Sequence, residues 1–373
     1  MAGPRSLAVS AVIVALLAGC ALPRGAALQS EVLRADSSAA PGFAVYPVTR
    51  EFLPQVANWP GSGGFVARKW PRHSKGAAGQ IIAAGDLVGV TVWDSDQNSL
   101  LASPQQKTTQ MAPMLVTPSG TIFVPYVGPV KISGMSPDHA RQVVQDKLAA
   151  LLPSAQVQLS VQPGRQNSVD LVGGVAAPGT YPLVSRDMTV LSLLSEGRGV
   201  APGLQNPQVR LVRGSDYYAI SLERLYADPT LDATLRGGDK VFVESDPRYF
   251  LTLGATGAEA QVPFTRETLS ALDAVAQAGG INDNRADPKG VLILREYTPA
   301  AVTPDPARGP GDTRVIFTLD LTTADGLFSA GQFRIQPRDL VLATESPVTS
   351  TRTILGLVGS VVGVANTADN IGN

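Results

Sequence analysis

Residues 81–163 alternate between apolar and polar positions in a way that predicts strands around one long helix. The turn Gly85-Asp86 leads into Leu87-Val88-Gly89-Val90-Thr91-Val92-Trp93, residues 121–128 run Thr-Ile-Phe-Val-Pro-Tyr-Val-Gly, and residues 156–162 alternate throughout. Each run favours a strand, and the middle run favours a hairpin. No combination of residue types in this stretch is suited to making or breaking bonds, so we expect a domain without catalysis.

The helix of this domain is predicted between Ser136 and Pro153. Ser136 is a favourable N-cap residue, Pro137 suits the first helical position, and Asp138 lies near the positive end of the helix dipole. Apolar residues at helical spacing then form one stripe, which indicates a helix packed on the strands. The stripe consists of Ala140, Val143, Val144, Leu148, Leu151 and Leu152.

The chain after this domain repeats itself once. Residues 190–197 and 272–279 both predict a helix that ends at glycine, and residues 209–213 match residues 291–295 at the same offset. Each copy closes with a turn and a strand. This pattern indicates an internal duplication of one small unit with strands and helices, the second lengthened by a proline-rich loop. The helix residues expected in the two cores are Leu191, Leu194, Leu272 and Val275.

Composition limits the classes of function. The chain has 373 residues, enough for two or three domains, and its 30 basic and 31 acidic residues argue against nucleic acid as a partner. The sole cysteine, Cys20, excludes a disulfide framework.

The histidines, aspartates and basic residues that could bind a ligand or catalyse a reaction are interpreted as structural. His73 and His139 have no other ligand residues at metal-binding spacing, so no metal site is expected. The sequence nominates no catalytic and no cofactor-binding residue. Asp86, Asp94 and Asp96 are interpreted as turn residues. The basic cluster at residues 68–73 is interpreted as a solvated loop, and the alternative is a basic aromatic patch that binds an acidic glycan.

The N-terminus has the pattern of an exported protein. A basic start and a short apolar run predict a signal peptide over residues 1–19. Leu17-Ala18-Gly19-Cys20 resembles the bacterial lipobox, which implies cleavage before Cys20 and acylation of its sulfur and its new amine. The alternative is a plain signal peptide with an incidental cysteine. Residues 20–80 carry six prolines and no clear period, and they predict an extended arm.

The C-terminal residues 350–366 are apolar and rich in glycine. As a helix they would place small residues on one stripe, which permits close helix contact in lipid. The alternative is a tail packed against a neighbouring domain. The residues of the predicted membrane or ring helix are Ile354, Gly356, Val358, Gly359, Val361, Val362 and Gly363.

The order of elements in 81–163 resembles the polysaccharide biosynthesis/export domain of outer-membrane polysaccharide export lipoproteins. Residues 175–182, Val-Ala-Ala-Pro-Gly-Thr-Tyr-Pro, with the helix after them resemble the soluble-ligand-binding β-grasp module that follows this domain in the family. The second copy lacks the Pro-Gly turn at 255–259. The resemblance implies an α+β chain with a strand-rich export domain (81–163), two β-grasp-like domains (169–246 and 249–346) and a short C-terminal helix.

The resemblance also implies a function without catalysis. It indicates a lipid-anchored outer-membrane protein, mostly periplasmic, that forms an octameric ring for export of capsular or exopolysaccharide. Its expected partners are further copies of itself, the outer membrane, the polysaccharide and an inner-membrane co-polymerase or tyrosine autokinase. One alternative is a periplasmic glycan-binding or scaffold lipoprotein that forms no pore. Another is an enzyme acting on glycans, which would need two well-placed carboxylates.

Overall fold

The computed structural model describes residues 25–34, 42–62, 69–74, 79–94, 107–183, 185 and 187–348. Two compact units appear in these ranges. The terminal unit combines residues up to 65 with residues from 247 onward, and the middle unit spans 66–246. Both units mix strands and helices, which confirms the predicted α+β class.

The strands in chain order are β1 (Ala44–Pro47), β2 (Leu87–Trp93), β3 (Thr108–Gln110), β4 (Met114–Leu115), β5 (Thr121–Val124), β6 (Gly128–Lys131), β7 (Gln156–Gln162), β8 (Ser168–Gly173), β9 (Gly179–Pro182), β10 (Gln208–Arg213), β11 (Asp216–Ser221), β12 (Lys240–Glu244), β13 (Tyr249–Gly254), β14 (Ala260–Pro263), β15 (Ala286–Glu296), β16 (Arg314–Leu319) and β17 (Leu340–Glu345). The α-helices are α1 (Gln29–Val32), α2 (Leu53–Val56), α3 (Pro137–Ala149), α4 (Val190–Glu196), α5 (Leu222–Ala227), α6 (Ala271–Gln277) and α7 (Ala324–Gln332).

In the middle unit, β2 and β7 pair antiparallel along their whole length, from Leu87 opposite Gln162 to Trp93 opposite Gln156. Strands β3 and β4 pair with the other edge of β2, and β5 and β6 form a separate hairpin. Because β2 alternates, its valines turn inward to the core that also contains the inner face of α3. The segments predicted as strands and helix in 81–163 are therefore confirmed.

The ends of α3 explain where its predicted apolar stripe stops. The Ser136 hydroxyl accepts a hydrogen bond from the His139 backbone N–H at 3.3 Å, so the predicted cap is present. The helix ends at Ala149, before the predicted stop at Pro153. Leu151 therefore leaves the stripe and is exposed, whereas Leu148 and Leu152 remain buried.

The duplicated units share one sheet topology. The first copy has the strand order β11-β10-β12-β8-β9, and the second copy has β16-β15-β17-β13-β14 with β1 added at its edge. In both copies the strands that correspond pair with the same orientation. Two helices, α4 with α5 and α6 with α7, contribute to the respective cores.

The added strand β1 comes from the arm that the sequence predicts to be extended. It runs parallel to β16, with Val45 opposite Ile316. The arm then supplies aromatic rings to the second copy's core. Tyr46 stacks on Phe52 with 5.3 Å between ring centroids, and Trp59 contacts Tyr46 edge-on with 5.1 Å between centroids. Sequence reasoning missed this because β1 and α2 are each too short to establish a period.

The core positions predicted for residues of the two helices are only partly correct. Leu194 and Val275 are buried and Leu191 is partly buried, but Leu272 is exposed. Helix α6 begins at Ala271 after the N-cap Ser270, and Ala271, Ala274 and Val275 occupy its inner face. That phase turns Leu272 away from the sheet, so its expected core position is wrong.

One turn recurs before β2, β12 and β17. In each, a buried aspartate accepts a hydrogen bond at 2.8 Å from the backbone N–H three residues before it, at Ala83, Arg236 and Gln336. The residue before each aspartate has a positive φ: Gly85, Gly238 and Arg338. The aspartates are Asp86, Asp239 and Asp339.

Asp86 also binds the connection between β7 and β8. Its carboxylate accepts from the Gly164 backbone N–H and from the Asn167 side-chain amide, both at 2.7 Å. Sequence reasoning interpreted Asp86 as a turn residue only, because partners almost eighty residues away leave no local pattern.

Replacing Asp86 by alanine should lower the free energy of unfolding of the middle unit by about 1–3 kcal/mol, since several buried donors lose their acceptor. Denaturant unfolding with tryptophan fluorescence measures the loss. The exposed Asp138→Ala in the same domain is the control and should change stability by less than about 0.5 kcal/mol. Equal effects of the two changes would contradict this role of Asp86.

Candidate functional site

The hairpin β5–β6 presents two aromatic rings to solvent. Ile122 and Val124 point into the core of the middle unit, so strand alternation turns Phe123 outward, where it is 66% exposed. Tyr126 lies in the connecting turn with a φ of 66° and is 62% exposed. A non-glycine residue with positive φ is uncommon and marks a strained, fixed position.

The base of this hairpin is held by hydroxyl groups. The Thr117 hydroxyl lies 2.8 Å from that of Ser119 and 2.9 Å from that of Thr121. The Lys131 ammonium donates to the Ser119 carbonyl at 2.6 Å. A rigid base therefore carries the exposed rings.

This combination suits carbohydrate contact. A pyranose ring presents an apolar C–H face that packs on an aromatic ring, and hydroxyl groups bind through hydrogen bonds. The hairpin can hold or guide a sugar chain, and its groups offer no arrangement for cleaving one. We name Phe123 and Tyr126 with their hairpin the aromatic hairpin.

The buried titratable groups of the second copy with shifted pKa values centre on a structural ion pair. Arg295 donates to both Asp339 oxygens at 2.9 and 2.7 Å, and both side chains are almost fully buried. Burial raises the pKa of the Asp339 carboxyl, while the Arg295 guanidinium opposes that change. Burial likewise raises the pKa of Tyr297, whose hydroxyl contacts Arg295 at 3.2 Å. These shifts reflect folding and not a catalytic group.

The residues predicted to attach the chain to the membrane lie outside the described residues. This applies to Cys20 and to the whole predicted C-terminal helix, Ile354, Gly356, Val358, Gly359, Val361, Val362 and Gly363. Both predictions stay open. Among the described residues, no helix combines the length and apolar character that crossing a membrane requires. In the same ranges no group of three or more His, Cys, Asp or Glu residues is placed to hold a metal ion.

One prediction about the basic cluster needs revision. Within its described residues 69–73, Trp70 packs against the first copy's core and its ring N–H donates to the Leu231 carbonyl at 2.6 Å, so the cluster is not only a solvated loop. Phe123 and Tyr126 were not nominated from the sequence. The alternation of Ile122, Phe123 and Val124 carried the signal, since only one face of a half-buried strand points inward.

Comparison with known proteins identifies a family that the export domain resembles. Residues 75–162 match the model of the polysaccharide biosynthesis/export protein family. The chain is therefore similar to outer-membrane polysaccharide export proteins over this domain. The matched residues cover the domain that carries the aromatic hairpin, so this domain is the family's export domain.

Relatives extend the similarity beyond the export domain. The capsule polysaccharide export protein BexD of Haemophilus influenzae is 26% identical over 97% of each chain. The capsule polysaccharide export outer membrane protein CtrA of Neisseria meningitidis serogroup A is 27% identical over 78% of this chain and 79% of its own. The EPS I polysaccharide export outer membrane protein EpsA of Ralstonia nicotianae is 26% identical over 90% of both. The similarity to these export proteins therefore includes the duplicated units.

Proposed function

We propose that this protein is a lipid-anchored outer-membrane export protein whose copies form a ring through which capsular or exopolysaccharide passes from the periplasm to the cell surface. The observation that carries the proposal is similarity to a capsule export protein over 97% of each chain. The export domain match supports the same function. Similarity to export proteins favours transport over catalysis.

The aromatic hairpin gives the proposal a contact with its cargo. In a ring, every copy presents Phe123 and Tyr126, so the rings form a repeated, weakly binding surface along the polymer's path. Weak contacts at many equivalent positions let a chain slide, because no single contact holds it. A closed ring requires contacts between different surfaces of neighbouring copies. By family resemblance we propose eight copies and an inner-membrane co-polymerase as the periplasmic partner.

Deleting residues 350–373 should abolish surface polysaccharide if the C-terminal helix forms the passage through the outer membrane. Deleting only 367–373, which keeps the apolar stretch, is the matched control and should leave export intact. Surface polymer is measured by antibody labelling of whole cells, with the protein's abundance checked in the membrane fraction. Normal surface polymer after the longer deletion would instead favour a periplasmic binding or scaffold protein.

Replacing Cys20 by alanine should abolish acylation and cleavage at the lipobox, so the variant loses the acyl chains that contribute about 0.8 kcal/mol for each buried CH₂. Separation of inner and outer membranes on a density gradient is expected to find the variant depleted from the outer-membrane fraction, with its signal segment retained. Mass spectrometry of the wild-type N-terminal peptide should show the acyl groups. An unmodified Cys20 in the wild type contradicts the lipid anchor.

A further inference from the structure

The second copy exposes an apolar surface on the outer face of its sheet. Across the strands, Val45 lies opposite Ile316, and the pairing continues through Leu294 and Leu340 to Leu251. Side chains alternate, so this row faces away from Ile293, Phe317 and Val341, which lie in the core. Val45 and Leu251 at the two ends of the row are exposed, Leu294 and Leu340 are half-buried, and Ile316 is buried. We name this row the sheet patch.

A hollow of about 600 Å³ opens beside the sheet patch. Apolar side chains line it, including Phe43, Leu294, Ile316 and Leu340. Its lining also contains the exposed charges of Arg314, Arg338 and Glu296, two of which are basic. The Ser62 hydroxyl in its lining is buried and has no hydrogen-bond partner.

Arg338 holds a strained conformation at this hollow. Its φ is 68°, whereas the corresponding turn of the first copy has Gly238 with a φ of 84°. Glycine adopts that conformation without cost, and other residues lose roughly 1–2 kcal/mol. The second copy therefore carries a cationic side chain where glycine would fold more easily, which favours a role for its charge.

A second apolar surface lies on the helices of the same copy. Helix α7 packs through Gly326, Ser329 and Ala330, so Phe328 points away from the core and is 72% exposed. Leu327 beside it and Leu272 on α6 are also exposed. We name Leu272, Leu327 and Phe328 the helix patch.

The helix patch is acidic at its edges. Asp273 and Asp325 are exposed on α6 and α7, and neither helix contains a lysine or an arginine. The exposed Arg266 before α6 interacts electrostatically with Asp273, so Asp325 is the carboxylate of this patch that faces no basic group of its own helices. Because the helices cover the inner face of the sheet, the helix patch and the sheet patch lie on opposite sides of one layered unit.

The first copy lacks this pair of surfaces although it has the same topology. Its outer sheet face carries an ion pair between Arg210 and Glu244 at 2.7 Å, and α5 directs Glu223 and Arg224 to its surface. Tyr226 is exposed at the same distance from its N-cap residue as Phe328. The two apolar patches are thus a property of the second copy and not of the duplicated fold.

We propose that the helix patch of one chain packs on the sheet patch of the next chain, with Phe328 seated in the neighbour's hollow. Asp273 and Asp325 then face the arginines in the lining of that hollow. Helices on a sheet are a standard packing of layers, and a large aromatic side chain in a pocket is the usual anchor of an interface. Two different patches on opposite sides give a head-to-tail contact, and repetition of such a contact closes into a ring when the rotation permits. The inference rests on the proposed ring and identifies its subunit contact.

The test uses full-length lipidated protein extracted in detergent, with oligomer mass measured by native mass spectrometry. Phe328→Asp removes the helix patch, and Leu251→Asp removes the sheet patch. Each change should weaken association at least about thirtyfold and give monomers. Both residues are exposed, so thermal unfolding by circular dichroism should match the wild type. Tyr226→Asp in the first copy is the matched control and should leave the ring intact.

Mixing the two variants distinguishes a head-to-tail contact from a symmetric one. One intact helix patch and one intact sheet patch remain in the mixture, so it should form heterodimers and nothing larger. Rings from both single variants would overturn this contact and leave the export ring standing. A mixture that stays monomeric would also overturn it. A wild type that is itself monomeric would refute the ring and the contact together.

Discussion

Replacing Arg295 by methionine is expected to lower the free energy of unfolding of the terminal unit by about 3–5 kcal/mol. The change leaves the Asp339 carboxylate buried without its partner at 2.7 Å, and it removes the donor to the Arg334 carbonyl at 2.9 Å. It also removes the guanidinium that lies over the rings of Phe317 and Phe333. Of the single changes proposed for this chain, we expect this one to cost the most stability.

Tryptophan fluorescence can follow this unfolding selectively. The chain has three tryptophans, and Trp59 lies in the core of the terminal unit. Changing Trp70 and Trp93 to phenylalanine makes Trp59 the sole reporter in a urea titration. The pair Arg295→Met with Asp339→Asn should recover part of the loss, since the neutral amide leaves no unpaired buried charge and its oxygen can still accept from the Gln336 backbone N–H.

The first copy offers a matched control for this prediction. Arg213 and Asp239 form the same ion pair at 2.6 Å, but the Arg213 side chain is 17% exposed against 3% for Arg295. Water therefore screens the carboxylate that Arg213→Met leaves behind, and the loss of stability should be smaller. A loss below about 1 kcal/mol for Arg295→Met would contradict the structural role of the buried pair.

Replacing Phe123 by serine and Tyr126 by asparagine together should lower surface polysaccharide by roughly tenfold, if each ring contributes about 0.5–1.5 kcal/mol to contact with the chain. Asparagine is chosen because it tolerates positive φ. Both side chains are exposed, so the fold and the abundance of the protein should not change. Antibody labelling of whole cells and of permeabilised cells separates exported polymer from polymer retained in the periplasm.

A control variant excludes a general effect of lost surface aromatics. Tyr226→Ser removes a ring that is about as exposed as Tyr126 but lies in the first duplicated copy. It should leave export unchanged. Export by the double variant at the wild-type level would remove the aromatic hairpin from the proposed path of the polymer.

The elements that the sequence predicts correctly are those with a long local pattern. Strand β2, helix α3 and the duplicated units each repeat a period several times, and the capped N-terminus of α3 agrees with its Ser136-Pro137 start. Strand β1 could not be found this way, because four residues from the arm gain their conformation by pairing with β16. Leu272 shows a second limit of sequence-based prediction. Its helix is predicted correctly, but the buried face of that helix is formed by Ala271, Ala274 and Val275 instead.

The candidate site was less predictable than the fold. Exposure of Phe123 follows from alternation only once the inward face of β5 is known, and Tyr126 depends on a turn conformation. The contacts of Asp86 join positions far apart in the chain. The family itself was recognisable from the order of elements in 81–163, because that order is a property of the sequence alone.

Cryo-electron microscopy of the detergent-extracted, lipidated protein is the decisive measurement for the export ring. We expect a closed ring with the helix patch of each copy against the sheet patch of the next, the aromatic hairpins facing the passage, and the C-terminal residues forming a helical neck. A protein that remains monomeric at every concentration examined would contradict the export ring.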